Sequence, residues 1–226
     1  MRKNRIIGLL AAVLAVSVAG CGDVESTGFL SLTQVSGLDF EEGDCGAPNK
    51  TLVPALAYDA GVGTANGSSY LLGLWLQNSL VANDDTDGTS TGRINTNQIR
   101  IKRIEVSFTD RELWGFLDEK IDVSMPFTLD TESEIGWPTD VIPLRYAKDM
   151  IENPKSPIRQ ERTGWTSLPI RIRAVGELLD GTKVESNEFD LTLSVCNLCS
   201  GGCPEGYEPK GCSNAQPDLY KCEKAK

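Results

Sequence analysis

Apolar residues fall on every second position through much of residues 99–195, the spacing of strands with one face buried. Ile121, Val123, Met125, Phe127 and Leu129 alternate without a break, with polar residues and Pro126 between them. A proline removes a ladder donor, so this strand belongs at a sheet edge. Leu168, Ile170, Ile172 and Ala174 alternate with Arg171 and Arg173, predicting a half-buried strand with a basic outer face. Asp180-Gly181 then supplies a hairpin turn. The return strand places Phe189, Leu191, Leu193 and Val195 on one face and ends at Cys196.

Two segments modify the simple alternation. Ile99 and Ile101 share one parity, whereas Ile104, Val106 and Phe108 share the other. A β-bulge at Lys102-Arg103 keeps both sets on the core side, because a slip of one residue would otherwise turn one set to solvent. Tyr70 to Leu76 is apolar on both parities, which predicts a central strand covered on both faces and Trp75 in the core. Leu52 to Tyr58 reads as a further strand interrupted by Pro54, and Arg145 to Asn153 as a short helix stopped by Pro154.

Many short strands, Gly/Pro/Asp/Asn turns and no βαβ alternation predict an all-β fold. The expected architecture is an antiparallel β-sandwich, Ig-like in broad outline, over residues 45–199. Residues 200–226 differ: Gly201-Gly202-Cys203-Pro204, Pro209, Gly211-Cys212 and Pro217 leave little apolar periodicity. Such a tail has no core of its own and is expected to be held by disulfides on the end of the sandwich.

The N-terminus carries a different pattern. Arg2, Lys3 and Arg5 precede the uncharged stretch Ile6–Ala19, and Val18-Ala19-Gly20-Cys21 follows the order of small residues and cysteine that resembles the lipobox of bacterial lipoproteins. An apolar run of 14 residues is too short to span a bilayer as a helix. The resemblance implies that residues 1–20 are a signal peptide, that Cys21 receives the lipid (a diacylglycerol on sulfur, with palmitate-type chains), and that the acyl chains are the membrane anchor. Gly22 rather than Asp after the cysteine points to the outer membrane over the inner one. Residues 21–44 then read as anchor and polar spacer, with Leu30, Leu32 and Val35 leaving room for one early strand.

The formal charge of −10 becomes −13 once the three basic residues of the signal are removed. That charge argues against nucleic acid and against electrostatic binding to anionic lipid. Besides Cys21 the chain has Cys45, Cys196, Cys199, Cys203, Cys212 and Cys222, an even set suited to three disulfides in an oxidising compartment. Cys196-x-x-Cys199 also has the form of half a zinc site or a redox dithiol. Zinc would want a second such pair and usually a histidine, and a redox dithiol a βαβ setting. Because Cys45 opens the expected domain and Cys196 closes it, a bond from Cys45 to Cys196 or Cys199 would tie its two ends together. The other four cysteines would then pair within the tail.

The combination resembles a group of lipoproteins from the myxobacterial and deltaproteobacterial cell envelope. The matching pieces are the lipobox, Asp44-Cys45 with Pro48, Asn95-Thr96-Asn97 leading into Ile99–Phe108, Asp180-Gly181 with Val184–Phe189, and Val195-Cys196-Asn197-x-Cys199 with the later cysteines. They span most of the chain after Cys21, and the C-terminal piece is the specific one. The resemblance implies an envelope lipoprotein with a disulfide-stapled β domain and supplies no catalytic residue.

Without histidine the chain cannot assemble a Ser-His-Asp or Cys-His couple or a His-ligated metal. Paired carboxylates remain open to it, and Glu41, Glu42 and Asp44 form the densest acidic knot, a pattern usual for solvated surface. Asn83-x-Asp85-x-Asp87-Gly88 matches the first half of a calcium loop, but the twelfth position is Ile94 instead of a bidentate Glu. Trp137 and Trp165 follow glycines in loop-like sequence, and Asn83–Arg93 with Gly136–Pro143 offer loop surface for a partner. The sequence therefore favours a non-catalytic binding or structural module without cofactor or metal, contacting an envelope protein or glycan. The alternatives are a glycan-active enzyme using paired carboxylates and a lipoprotein that binds calcium or a small ligand.

Overall fold

The computed structural model describes residues 28–41, 44–82, 96–161, 164–199, 206–211, 215–216 and 220–224. The chain is mostly β. Its strands are β1 (Leu30–Glu41), β2 (Asp44–Asn49), β3 (Ala57–Asp59), β4 (Tyr70–Asn78), β5 (Ile99–Phe108), β6 (Lys120–Leu129), β7 (Ser133–Ile142), β8 (Thr166–Leu178), β9 (Lys183–Glu185), β10 (Phe189–Cys196), β11 (Tyr207–Gly211) and β12 (Tyr220–Lys224). Among the described residues three short helices join them: α1 (Ala60–Asn66), α2 (Arg111–Trp114) and α3 (Leu144–Glu152). One sheet has the order β2-β1-β4-β7 and a second β3-β10-β8-β5-β6, with β9 added to β8 and a separate β11–β12 hairpin. Neighbouring strands are antiparallel, except that β3 runs parallel to β10.

The parity switch in β5 is a bulge. The register of β5 shifts between Ile101 and Arg103 against both β6 and β8, so Ile99, Ile101, Ile104, Val106 and Phe108 are all buried. β6 lies at the sheet edge, as Pro126 requires. In β8 the residues Leu168, Ile170, Ile172 and Ala174 are buried. The chain turns after it at Gly181, whose φ of 91° is open to glycine and strained for other residues. The return comes in two pieces, β9 and then β10, which pairs with β8 from Phe189↔Ile172 to Val195↔Thr166.

Leu30 and Leu32 of β1, Leu72, Leu74 and Leu76 of β4, and Val141 and Ile142 of β7 join the buried side chains of β5, β6, β8 and β10 in one apolar cluster. Burial of this size dominates the stability, at about 1.5–3 kcal/mol for each fully buried Leu, Ile or Val. At one end of the molecule Asn78, fully buried, ties both sheets together. Its Nδ2 donates to the carbonyls of Asn97 (2.9 Å) and Leu129 (3.4 Å), and its Oδ1 accepts from the Leu80 N–H at 3.1 Å. At the other end α1 and α3 pack together, and α3 buries Tyr146, Ala147 and Met150.

Four expectations change. The room left for an early strand at Leu30, Leu32 and Val35 is filled by β1, but as an interior strand of twelve residues paired with β2 and β4, so the folded part begins before Cys45. Its alternation is broken by register shifts after Leu32 and Leu38, which hide it from a period-two reading. Only Ala57 and Tyr58 of the Leu52–Tyr58 segment are strand, opening β3, because Pro54 prevents a longer ladder. Gly136–Ile142 belongs to β7, and Trp137 with it. Trp75 lies on the face of β4 opposite Leu74 and Leu76, half-buried rather than in the core.

Candidate functional site

The cysteine junction is built where β10 ends. Leu198 takes a φ of 53°, and that left-handed residue turns Cys199 back onto Cys196, with a Cα–Cα separation of 6.0 Å and a disulfide between them. The expected bond from Cys45 to Cys196 or Cys199 is therefore corrected. Cys45 sits in β2 opposite Phe40, in the other sheet, while Cys199 follows Cys196 within one turn. Cys222 is also disulfide-bonded. Cys21, Cys203 and Cys212 lie outside the described residues, as does the side chain of Cys45.

Beneath the disulfide lies Asp59, fully buried. Its Oδ1 accepts the Val62 N–H at 3.1 Å, capping α1, and the Leu198 N–H at 2.8 Å, fixing the turn between the cysteines. The Asp59 backbone N–H donates to the Ala215 carbonyl at 3.0 Å, so the same residue anchors the tail. Asn197 reaches the Arg159 carbonyl at 3.2 Å. One ligand atom from each of Asp59, Cys196 and Cys199 falls within 4.8 Å of the others, a set that could coordinate a thiophilic ion once reduced. In the disulfide the sulfurs are bonded to each other, so this junction acts as a staple. Adjacent Tyr58 donates its hydroxyl proton to the Ser68 carbonyl at 2.8 Å. Burial, together with the negative charges of Asp59 and Asp140, raises its pKa well above the usual range for a phenol.

The charged face of β5, β6 and β8 is a second candidate. The arginines alternating with the apolar residues of β8 do face outward, but acidic partners neutralise them. Glu105 is the centre, with only 2% of its surface exposed. Its Oε1 accepts from Arg103 (2.7 Å) and Lys120 (3.0 Å), and its Oε2 from Arg173 (2.7 Å). Burial by itself would raise its pKa, yet the three cationic donors outweigh that and hold it at about 2. Arg173 continues to Glu185 at 2.7 Å, while Arg171 bridges Glu188 (3.0 Å) and Asp190 (2.7 Å). Lys102 pairs with Glu177. Sequence reading missed Glu105 because a glutamate between Ile104 and Val106 looks like an ordinary outward residue. Arg103 is its neighbour along β5, but only the strand register brings Lys120 and Arg173 to it.

The tryptophans do not form one platform. Trp114 is buried and its indole N–H donates to the Ser167 carbonyl at 2.9 Å. The Trp75 indole donates to Ser36 Oγ at 3.0 Å; Lys50 lies 4.6 Å from the ring centroid and also pairs with Glu134. A Cβ on Gly136 would stand 2.8 Å from that ring, so glycine is required for the close approach. Trp137 stacks on Phe127 at 5.0 Å between centroids and 9° between planes, and 40% of its surface stays exposed. Those two residues sit on edge strands β7 and β6, opposite core residues Leu74 and Ile101, so the stack closes the gap between the two sheets. Trp165 is 47% exposed just before β8, as its loop-like sequence predicts.

Other candidates fall outside this geometry. The calcium-like segment Asn83–Ile94 lies outside the described residues, as does Glu42, and the side chains of Glu41 and Asp44 do too. Residues 88–92 also have the form Gly-x-Ser-x-Gly; in a chain without histidine, Ser90 would lack its customary base. A shallow hollow of about 510 Å³ is lined by Pro154, Ser156, Pro157, Arg159 and Gln160. Among the described residues no helix is long and apolar enough to cross a membrane.

No family model matches this chain, and no curated protein matches it significantly. Among solved structures it is similar to the sporulation control protein Spo0M from Bacillus subtilis, at 10% identity and a TM-score of 0.25, over 75% of this chain. The chain spans about half the length of that protein. A likeness at that level carries no argument about fold or function.

Proposed function

We propose that this chain is a lipid-anchored protein of the bacterial cell envelope whose β domain acts as a non-catalytic binding or structural module. The observation that carries the reading is the lipobox at Cys21, followed so closely by β1 at Leu30. Eight residues separate the acyl site from the first strand, so the anchor and the folded domain form one unit with a short link. Gly22 favours the outer membrane. The two sheets, joined through one apolar cluster, are consistent with an antiparallel β-sandwich, Ig-like in broad architecture, with the cysteine-rich tail docked at one end.

What supports a module over a glycan-active enzyme is the engagement of the described buried carboxylates. Glu105 answers three cations, and Asp59 accepts two backbone N–H groups. Paired-acid hydrolysis needs two carboxyls of unlike environment facing a common space. The test is chemical. Mass spectrometry of protein from washed envelopes should find the N-terminus at Cys21 with its lipid, and Cys21→Ala should accumulate uncleaved precursor without it. Mature, unacylated protein beginning elsewhere would overturn the reading. Crosslinking in intact cells would then identify the partner.

A further inference from the structure

The end of the molecule at which the N-terminal chain enters carries three exposed apolar side chains. Phe29 is 42% exposed, Val81 63% and Leu179 37%. Backbone contacts place them on one end. The Phe29 carbonyl accepts the Ser79 N–H at 2.9 Å, and Val81 follows two residues on. Asn97 Nδ2 donates to the Val81 carbonyl at 2.7 Å, and the neighbouring Thr96 carbonyl accepts the Leu179 N–H at 3.3 Å. Asn78, already described, locks this end from beneath. Scattered single apolar residues on a surface are ordinary, but three beside the root of a short tether are a specific arrangement.

We propose that this end rests on the bilayer that holds the acyl chains, with Phe29, Val81 and Leu179 seated at the boundary between headgroups and hydrocarbon. The inference rests on the reading of Cys21 as the lipidated residue. From Cys21 to Phe29 the extended chain spans at most about 28 Å, so this end is confined near the lipid while diffusion supplies every orientation. Apolar contact then selects the orientation that buries the three side chains. The turns around them carry Asp130, Glu132 and Asp180, so the contact is apolar and suits a zwitterionic surface better than an anionic one. A second exposed apolar loop, with Leu52, Val53 and Leu56, lies beside Gly37, about 23 Å further along β1 from Leu30, and is left facing away from the membrane.

The experiment uses the acylated protein in phosphatidylethanolamine/phosphatidylcholine vesicles, read by hydrogen exchange and by sedimentation with the vesicles. Three samples are compared: the protein on vesicles, the same protein released by proteolysis within residues 22–27, and the vesicle-bound variant Phe29→Ser/Val81→Ser/Leu179→Ser. The wild-type protein on vesicles should exchange at least about threefold more slowly in segments 28–29, 79–82 and 178–182 than the released protein, with segment 50–56 unchanged. The triple variant should sediment equally well yet lose that protection, with exchange in β5 and β8 unaltered as proof of folding. Equal exchange at this end in bound and released protein would overturn the orientation while leaving the anchor standing. Protection at 50–56 instead, or stronger protection on adding phosphatidylglycerol, would also overturn it. Failure of the wild-type protein to carry lipid and sediment would overturn the anchor reading and this proposal together.

Discussion

The side-chain amide of Gln216 binds both backbone groups of Leu71: its oxygen accepts the Leu71 N–H at 2.7 Å and its nitrogen donates to the Leu71 carbonyl at 2.8 Å. Leu71 sits where the β4–β7 register slips between Tyr70 and Leu71. A glutamine from the tail there imitates the pair of bonds that a neighbouring strand makes elsewhere in a ladder. Gln216 is itself 1% exposed, as is Ala215 beside it. The tail is thus part of the sheet's hydrogen-bonding scheme as well as a staple.

Gln216→Ala should therefore cost about 1–2 kcal/mol, because both backbone groups of Leu71 lose their partner in a partly buried setting. Denaturant titration measures the loss, and faster exchange of the Leu71 amide locates it. Gln216→Glu keeps the acceptor but sets a carboxylate oxygen against the Leu71 carbonyl, so it should be at least as damaging as alanine. Unchanged stability in both variants would show that the tail contributes nothing at this point.

Glu105 predicts a pH dependence with a definite sign. Its carboxyl is held at about 2 in the folded protein against an ordinary value of 4.5. The folded state therefore binds this proton more weakly than the unfolded chain. The stabilisation is complete above the ordinary value and is lost as the pH falls from there towards 2. Glu105→Gln should flatten this part of the curve of urea midpoint against pH. At neutral pH it should cost about 3 kcal/mol, at the lower end of the range for buried ion pairs because the three cations are partly exposed and can rehydrate.

Local pattern made much of the fold legible. The bulge at Lys102-Arg103 was readable because Ile101 and Ile104 cannot face one core without an extra residue between them. Pro126 marked an edge for the reason that a missing N–H always does. β1 was harder to read because its two register shifts scramble the alternation that Leu30 and Leu32 begin. Trp75 misled in the opposite way: Leu74 and Leu76 beside it suggest burial all round, but only strand geometry shows that a residue between two core leucines must face outward. The candidate sites depended on partners distant in sequence. Asp59 meets Leu198, and Glu105 meets Arg173, through strand order that no local spacing encodes.

Trp137 illustrates the consequence for function. Read as a loop residue it was a candidate contact for a partner or glycan; in the fold it stacks on Phe127 across the gap between edge strands β7 and β6. Trp137→Ala should thus destabilise the domain by about 2 kcal/mol, combining the lost ring pair with partial loss of apolar burial. Trp137→Phe should recover most of that. Thermal melts of the two variants test the ranking, and an alanine variant as stable as wild type would leave the exposed face of Trp137 as its only role.

The cysteine junction makes the sharpest prediction. Peptide mapping without reductant should recover Cys196 and Cys199 joined to each other, with Cys222 in a separate disulfide; a Cys45–Cys196 or Cys45–Cys199 peptide would refute the arrangement. The Cys196–Cys199 bond closes a very short loop, so in the chain-entropy picture Cys199→Ser should cost only about 2 kcal/mol. Asp59 should matter more than the disulfide above it. Its one oxygen holds the first turn of α1 and the left-handed turn at Leu198, and its backbone holds Ala215. Asp59→Ala should leave two partly buried N–H groups without an acceptor and cost about 2–3 kcal/mol, whereas Asp59→Asn retains an acceptor oxygen and should cost less. The order Asp59→Ala, then Asp59→Asn, in unfolding free energy separates a structural acceptor from a charge needed for thiol chemistry. If neutral asparagine were as damaging as alanine, the carboxylate charge itself would be what the junction requires.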